Sequence, residues 1–172
     1  MGDLLERVVS QQDALKKLIA KLPGFKGYYA RNDRRLADKL LRETTADKFQ
    51  AQWARLSSVQ RALISGGRID LIEDVEFGAI RIRQFIDRVR TAVYGYSGFF
   101  DAVKVEEAEL DKVYQYDLTL LELADEIAAA VDNLEASIGS DGLPAAIRNV
   151  NQKAQDSLDA FNQRAELFKF GE

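Results

Sequence analysis

The sequence offers few of the residue types that catalysis usually needs. Its 172 residues include no histidine and no cysteine. Histidine is the usual general base near neutral pH and the usual partner of a nucleophilic serine, and cysteine supplies thiolate nucleophiles and metal ligands. The di-iron four-helix bundles require Glu-x-x-His pairs, which this chain cannot supply. We therefore predict that the protein is not an enzyme and has no catalytic residue, metal site or cofactor.

Two patterns could still carry chemistry, and each has a simpler interpretation. Glu122 and Glu126 are one helical turn apart and could hold a hard cation, but this spacing is also typical of the solvated side of a helix. The segment Gly95-Tyr96-Ser97-Gly98 superficially resembles a serine elbow, yet it lacks the spacing and the preceding strand of that motif. The solvated helix and a helix-breaking turn are the favoured interpretations.

A carboxylate at position 117 interrupts an apolar stripe that otherwise continues from Val113 to Leu120. Burying a charge is costly unless the charge is paired. Two alternatives remain open. Either a basic side chain from a neighbouring helix pairs with Asp117 and fixes the register of helix packing, or the helix rotates locally so that Tyr114, Leu118 and Leu121 face inward.

The elements that would position these residues are helices. Apolar residues recur at spacings of three and four through nearly the whole chain, as in amphipathic helices that pack in the manner of a coiled coil. Five helices are predicted, at about residues 5–22, 28–64, 72–93, 110–138 and 144–168, with breaks at Pro23-Gly24 and Gly66-Gly67 among others. The stripe of the first helix is expected at Leu5, Val8, Leu15, Ile19 and Leu22, and that of the last helix at Ile147, Val150, Ala154, Leu158, Phe161, Ala165 and Phe168.

These helices predict an all-α fold, an elongated up-and-down antiparallel helical bundle of about five helices, three of them long. The second and fourth helices would each have about 35 residues, which at a rise of 1.5 Å per residue is roughly 50 Å. Short connections favour antiparallel neighbours, so the second, third and fourth helices form the bundle and the first and last helices pack alongside. Because no linker divides the chain, residues 1–172 are expected to form a single domain.

The formal net charge of −4 conceals a strong asymmetry. Nine basic residues lie between Lys16 and Arg42, whereas twelve acidic residues lie between Asp101 and Asp141. The two segments could attract each other within the fold, or the basic segment could meet an anionic partner. The acidic isoelectric point, near 5.1, argues against nucleic acid as that partner.

Aromatic and basic residues lie together around the turn at Pro23-Gly24. The candidate interaction residues are Phe25, Lys26, Tyr28, Tyr29, Arg31, Arg34 and Arg35. Rings and long basic side chains are both favoured at a lipid headgroup layer, so this turn could bind an anionic membrane surface. The alternative is that the rings close the end of the bundle and belong to its core.

The run Leu22-Pro23-Gly24-Phe25-Lys26-Gly27-Tyr28, followed by Arg34-Arg35-Leu36-Ala37-Asp38-Lys39-Leu40-Leu41-Arg42, resembles a segment of small, uncharacterised bacterial helical proteins. The resemblance implies a bacterial, cytoplasmic origin and assigns no role to any residue. A cytoplasmic location is also expected because the first twenty residues do not fit a signal peptide, and because no apolar stretch approaches the roughly 20 residues of a membrane span.

Apolar residues outside the predicted stripes carry the functional prediction. Phe77 and Ile80 lie off the main stripe of the third helix, and Phe99, Phe100, Phe168 and Phe170 lie near predicted helix ends. Exposed apolar patches usually mark contacts. We therefore predict a non-catalytic interaction or scaffold protein that binds a protein partner or forms a homo-oligomer, with peripheral binding to anionic membranes as the alternative.

Overall fold

The computed structural model describes residues 14–30, 34–92 and 107–167, which are helical with short turns and contain no strand. The predicted all-α helical bundle is therefore confirmed. The helices are α1 (residues 14–21 of the described part), α2 (Phe25–Ala30), α3 (Arg34–Ser65), α4 (Ile72–Thr91), α5 (Glu107–Ser137) and α6 (Leu143–Leu167), with a 3₁₀ turn at Ile69–Leu71 before α4.

Side-chain contacts fix the relative directions of the four long helices. They join α3 to α5 and α4 to α6 in the same chain direction, and α3 to α4 in the opposite direction. Lys48–Asp125 and Arg55–Glu135 join α3 to α5. Arg81–Gln155 and Arg88–Asn162 join α4 to α6. Gln60–Glu76 and Arg90–Asp47 join α3 to α4. The bundle thus consists of two antiparallel hairpins, α3–α4 and α5–α6, packed side by side, with α4 and α5 on opposite corners.

Aromatic rings join three of the four helices at the centre of the bundle. Phe85 of α4 lies 4.1 Å from Phe49 of α3 and 6.1 Å from Phe161 of α6, measured between ring centroids. The second ring pair is nearly perpendicular, at 78°, which is a favourable edge-to-face arrangement. All three rings are buried, so one continuous apolar core holds α3, α4 and α6 together with α5.

The last helix has a larger role than the sequence indicates. Its predicted stripe from Ile147 to Phe161 is buried, and it packs on both α4 and α5. The bundle therefore has four long helices, and the expectation that the last helix only packs alongside three others is wrong. The remaining stripe residues, Ala165 and Phe168, lie outside the described side chains. Ile138, expected in the stripe of α5, is exposed because α5 ends at Ser137.

A second, smaller apolar cluster joins α1 and α2 to the beginning of α3 and to α5. Ala14 and Leu18 of α1 and Leu22, which directly follows α1, are buried in it, and Leu118 and Leu121 are its α5 residues. Of the predicted positions, Leu22 is buried, whereas Leu15 and Ile19 are half-buried and pack against the side of the cluster, so Ala14 and Leu18 take the central positions expected for them. Leu5 and Val8, the other predicted positions, lie outside the described residues.

The predicted stop at Gly66-Gly67 is confirmed and has a local cause. Gly67 has a positive φ of 76°, a conformation that glycine adopts without a steric penalty. The amide of Arg68 donates to the carbonyl of Leu63 at 2.8 Å, and the amide of Gly67 donates to that of Ile64 at 3.1 Å. This is the hydrogen-bond pattern of a Schellman motif, which satisfies the last carbonyls of α3 and turns the chain toward α4.

Candidate interaction surface

The two carboxylates that have the spacing of a cation site, Glu122 and Glu126, have different surroundings. In the ranges that the structure covers, no group of three or more acidic residues is placed to hold a metal ion. Glu126 accepts a hydrogen bond from Lys153 Nζ at 2.9 Å, which ties α5 to α6 and raises the pKa of Lys153. Glu122 is exposed on α5. The segment Gly95-Tyr96-Ser97-Gly98 lies outside the described residues.

A charged network joins α3 to the acidic helix α5. Arg55 donates to Glu135 through Nε at 3.0 Å and through Nη2 at 2.8 Å, and Nη2 also donates to Asp132. Its Nη1 donates to Gln52 Oε1 at 2.8 Å. The hydrogen bond from Arg55 lowers the pKa of Glu135 below its ordinary value. Such forked guanidinium contacts orient their partners as well as attract them.

The basic segment also contributes to this internal pairing. Lys21 donates to Asp125 Oδ2 at 2.6 Å, and Lys48 contacts Asp125 Oδ1 at 3.5 Å. The hydrogen bond from Lys21 is the main cause of the lowered pKa of Asp125. At Lys21, therefore, the basic segment and the acidic helix attract each other within the fold, which is the first of the two alternatives drawn from the charge pattern.

The structure describes the side chains of two candidate residues in the aromatic turn, Phe25 and Lys26. Phe25 is only 3% exposed and packs in the small cluster with α1, α3 and α5, so for this ring the core-packing alternative holds. Lys26 is exposed at the same turn. Tyr28 and Tyr29 lie within α2, Arg34 and Arg35 lie in the first turn of α3, and Arg31 lies outside the described residues.

Asp117 combines features of both alternatives that the sequence left open. It is 5% exposed and engaged in a polar interaction, so it lies inside the packing as a register residue would. Leu118 and Leu121 are buried in the small cluster as well, as local rotation of α5 would require. The Asp117 carboxylate therefore lies at the edge of the apolar stripe of α5. This stripe is wider where α1 and α2 pack against the bundle.

The apolar residues predicted off the main stripe are exposed on α4. Phe77 is 53% exposed and Ile80 is 48% exposed, and their spacing of three residues places them on one side of the helix. The guanidinium carbon of Arg81 lies 3.8 Å from the centroid of the Phe77 ring. We call this exposed side the outer surface of α4; its residues are Glu73, Glu76, Phe77, Ile80, Arg83, Gln84, Asp87 and Arg88.

Packing on the opposite side fixes the orientation of α4. Gly78 is buried against α6, where Asn151 lies over it and donates through Nδ2 to the carbonyl of Asp74 at 3.0 Å. Arg81 also donates to Gln155 Oε1 at 2.8 Å. Because these contacts anchor one side of α4 on α6, Phe77 and Ile80 cannot rotate into the core.

Other exposed apolar residues lie near helix ends and were not anticipated. Ile64, at the end of α3, is 56% exposed, and Ile69 of the 3₁₀ turn is also exposed. Ile64 lies directly after the predicted apolar stripe of α3, and Ile69 lies before that of α4. The spacing of apolar residues therefore did not indicate that these two side chains face solvent. Phe99, Phe100, Phe168 and Phe170, the remaining predicted contact residues, lie outside the described ranges.

Comparisons with known proteins add no family. No family model matches the chain, and no curated protein or solved structure matches it. Within the part of the chain that the structure describes, no helix is both long enough and apolar enough to cross a membrane. Function must therefore be inferred from the residues of this chain alone.

Proposed function

We propose that this chain is a non-catalytic interaction protein that binds protein through the outer surface of α4. One observation carries the proposal: Phe77 and Ile80 stand about half exposed on the same side of a helix whose apolar stripe is already filled. Single exposed apolar residues are normal on soluble proteins. Two large ones side by side at the middle of a helix are harder to account for, because neither contributes to the core.

The chemistry around this pair resembles that of residues that dominate protein interfaces. Phe77 supplies an aromatic ring, and Arg81 supplies a guanidinium over that ring. Aromatic residues and arginine are enriched at energetically important interface positions. The hydrogen bonds from Arg81 to Gln155 and to the carbonyl of Phe77 hold the guanidinium in place before any partner binds. Such preorganisation lowers the entropic cost of association.

The proposal is tested by photo-cross-linking in the native cell. A benzoylphenylalanine at position 77 should give protein adducts on irradiation, because the ring lies in the proposed contact. Ala129 provides the control position, since it is exposed on α5, at the opposite corner of the bundle from α4. Adducts at position 77 and none at position 129 support the proposal. Equal adducts at both positions, or none at position 77, contradict it.

A further inference from the structure

The charges of α4 are divided into two halves along the helix. Before Phe77 the exposed charged side chains of the helix are Glu73, Asp74 and Glu76. After Ile80 four of the five charged side chains are basic, namely Arg81, Arg83, Arg88 and Arg90, and the fifth is Asp87. Phe77 and Ile80 therefore lie at the boundary between an acidic and a basic half of one helix.

The helix dipole explains only part of this order. It favours acids near the start and bases near the end of a helix, but its effect fades within the first and last turns. Glu73 and Asp74 lie in the first turn and Arg88 and Arg90 in the last, so these positions need no further reason. Glu76 and Arg81 lie beyond both turns, on either side of the apolar pair, and the dipole does not account for their order.

These charges are also left without opposite charges inside the fold. Glu73, Asp74 and Glu76 form no ion pair with any described residue, and Glu76 only accepts a hydrogen bond from Gln60. Arg81 and Arg88 are held by the neutral amide oxygens of Gln155 and Asn162. By contrast, Arg90 pairs with Asp47 and Arg83 with Asp87. Two carboxylates and two guanidiniums flanking the apolar pair thus remain available to a partner: Glu73, Glu76, Arg81 and Arg88.

A second copy of this helix is complementary to the first in one orientation only. Two parallel copies would place acids against acids and bases against bases, which is repulsive. Two antiparallel copies related by a twofold axis midway between Phe77 and Ile80 place Phe77 of each against Ile80 of the other. In that register the acidic half of each copy lies along the basic half of the other, and Arg88 lies about one turn from the level of Glu73. An interface of this kind uses the same surface of both subunits.

We propose that a second copy of this chain covers the outer surface of α4, in an antiparallel, twofold-symmetric dimer. The inference rests on the proposed function and names its partner. The apolar pair forms the centre of the contact, the two charged halves form its ends, and Gln60 and Gln155 of the neighbouring helices lie at its polar rim. Polar rims around a small apolar centre are the usual anatomy of such contacts.

Sedimentation of the purified full-length chain tests the proposal. A monomer–dimer equilibrium is expected between about 1 and 500 µM, weakened by salt because its ends are charged. Phe77→Gln with Ile80→Gln should weaken the dimer by about tenfold or more. Ile138→Gln is the matched control, since this isoleucine is exposed in the turn after α5, the helix diagonally opposite α4, and it should leave association unchanged. Because the three side chains are exposed, thermal unfolding should confirm that all variants fold.

Charge reversal then tests the charged halves. Glu73→Lys with Glu76→Lys replaces two acids of the acidic half by bases, and Arg81→Glu with Arg88→Glu replaces two bases of the basic half by acids. Each variant alone should associate more weakly, and an equimolar mixture should recover dimers, because the bases introduced in one chain then face the acids introduced in the other. A wild-type chain that stays monomeric, a dimer indifferent to Phe77 and Ile80, or a mixture without recovery would overturn the inference. A monomeric chain that still gives adducts at position 77 with other proteins would leave the proposed function standing.

Discussion

Gly78 allows α4 to approach α6 closely, and Gly78→Ala tests this approach quantitatively. A Cβ at position 78 would lie 2.2 Å from Asn151 Oδ1 and 3.7 Å from Val150 Cγ1. The first distance is far inside van der Waals contact, whereas the second is an ordinary contact. Asn151 must therefore move, and its hydrogen bond to the carbonyl of Asp74 is lost.

The expected change in stability is a difference between opposing effects. Alanine gains about 1 kcal/mol over glycine in a helix interior. Losing the hydrogen bond costs about 1 kcal/mol, and forcing extra volume into a packed interface costs about 1–3 kcal/mol. We expect Gly78→Ala to lower the free energy of unfolding by about 1–3 kcal/mol, measured by urea denaturation followed by circular dichroism.

Asn151→Ala supplies the matched background. Asn151→Ala loses the hydrogen bond to Asp74, but it also removes Oδ1, which within the described residues is buried without a hydrogen-bond donor. These two effects oppose each other, so the substitution alone should change stability little. In that background Gly78→Ala should stabilise the protein by about 1 kcal/mol, because the clash is gone and the helix propensity remains. The reasoning would be refuted if Gly78→Ala stabilised the wild type, or if the two substitutions showed no coupling.

Three further substitutions, one of them with a control at Lys26, test the roles assigned to buried and paired residues. Asp117→Leu should lower the free energy of unfolding by about 1–3 kcal/mol, because it removes the polar interaction that this 5% exposed carboxylate makes; an unchanged unfolding curve would contradict this role. Phe25→Ala should lower it by about 3–5 kcal/mol as a core truncation, whereas Lys26→Glu at the exposed neighbour should change it by less than about 0.5 kcal/mol; equal small effects would place Phe25 outside the core. The hydrogen bond from Arg55 lowers the pKa of Glu135 below its ordinary value of 4.5, so the stability it contributes is present above pH 4.5 and is lost as the pH falls through the lower folded-state pKa. Glu135→Gln should therefore reduce the loss of melting temperature between about pH 7 and about pH 3, and an acid response identical to that of the wild type would argue against the Arg55 pairing.

Much of the bundle could be predicted because long amphipathic helices carry a redundant signal. Each turn of α3 and α4 repeats the same spacing, and Gly66-Gly67 supplies an unambiguous stop between them. The arrangement of the helices could not be predicted in this way. An apolar stripe indicates that a helix is covered on one side, but it does not indicate which neighbouring helix covers it. The packing of α6 on both α4 and α5 therefore could not be predicted.

The stripe of α1 shows a different limit. Ala14, Leu15, Leu18 and Ile19 are all apolar, so the sequence leaves open which pair faces inward. Leu118 and Leu121 of α5 resolve the choice, because they pack in one cluster with Ala14 and Leu18. The contacting residues of α5 are about a hundred residues from α1 along the chain. The spacing of apolar residues within α1 therefore cannot reveal these contacts.

The outer surface of α4 could partly be predicted from the sequence. Phe77 and Ile80 were found because they lie on the opposite side of the helix from Val75, Gly78 and Ile82. Phe25 could not be assigned, because an aromatic residue at a turn fits both a core and a surface. Only the contacts of α2 with α1 and α3 decide that its ring is buried.

Disulfide formation between single cysteines tests most directly whether a second copy covers the outer surface of α4. The chain has no cysteine of its own, so each introduced thiol is unique. In the proposed antiparallel register Glu73 of one copy lies level with Gln84 of the other, on the same outer side of the helix, and disulfides form only between residues whose Cα atoms are about 4.4–6.8 Å apart. Oxidising a mixture of Glu73→Cys and Gln84→Cys chains, one of them carrying a size tag, should give mainly the mixed 73–84 dimer. Homodimers linked 73–73 and 84–84, or no linked dimer at concentrations where the chain associates, would contradict it.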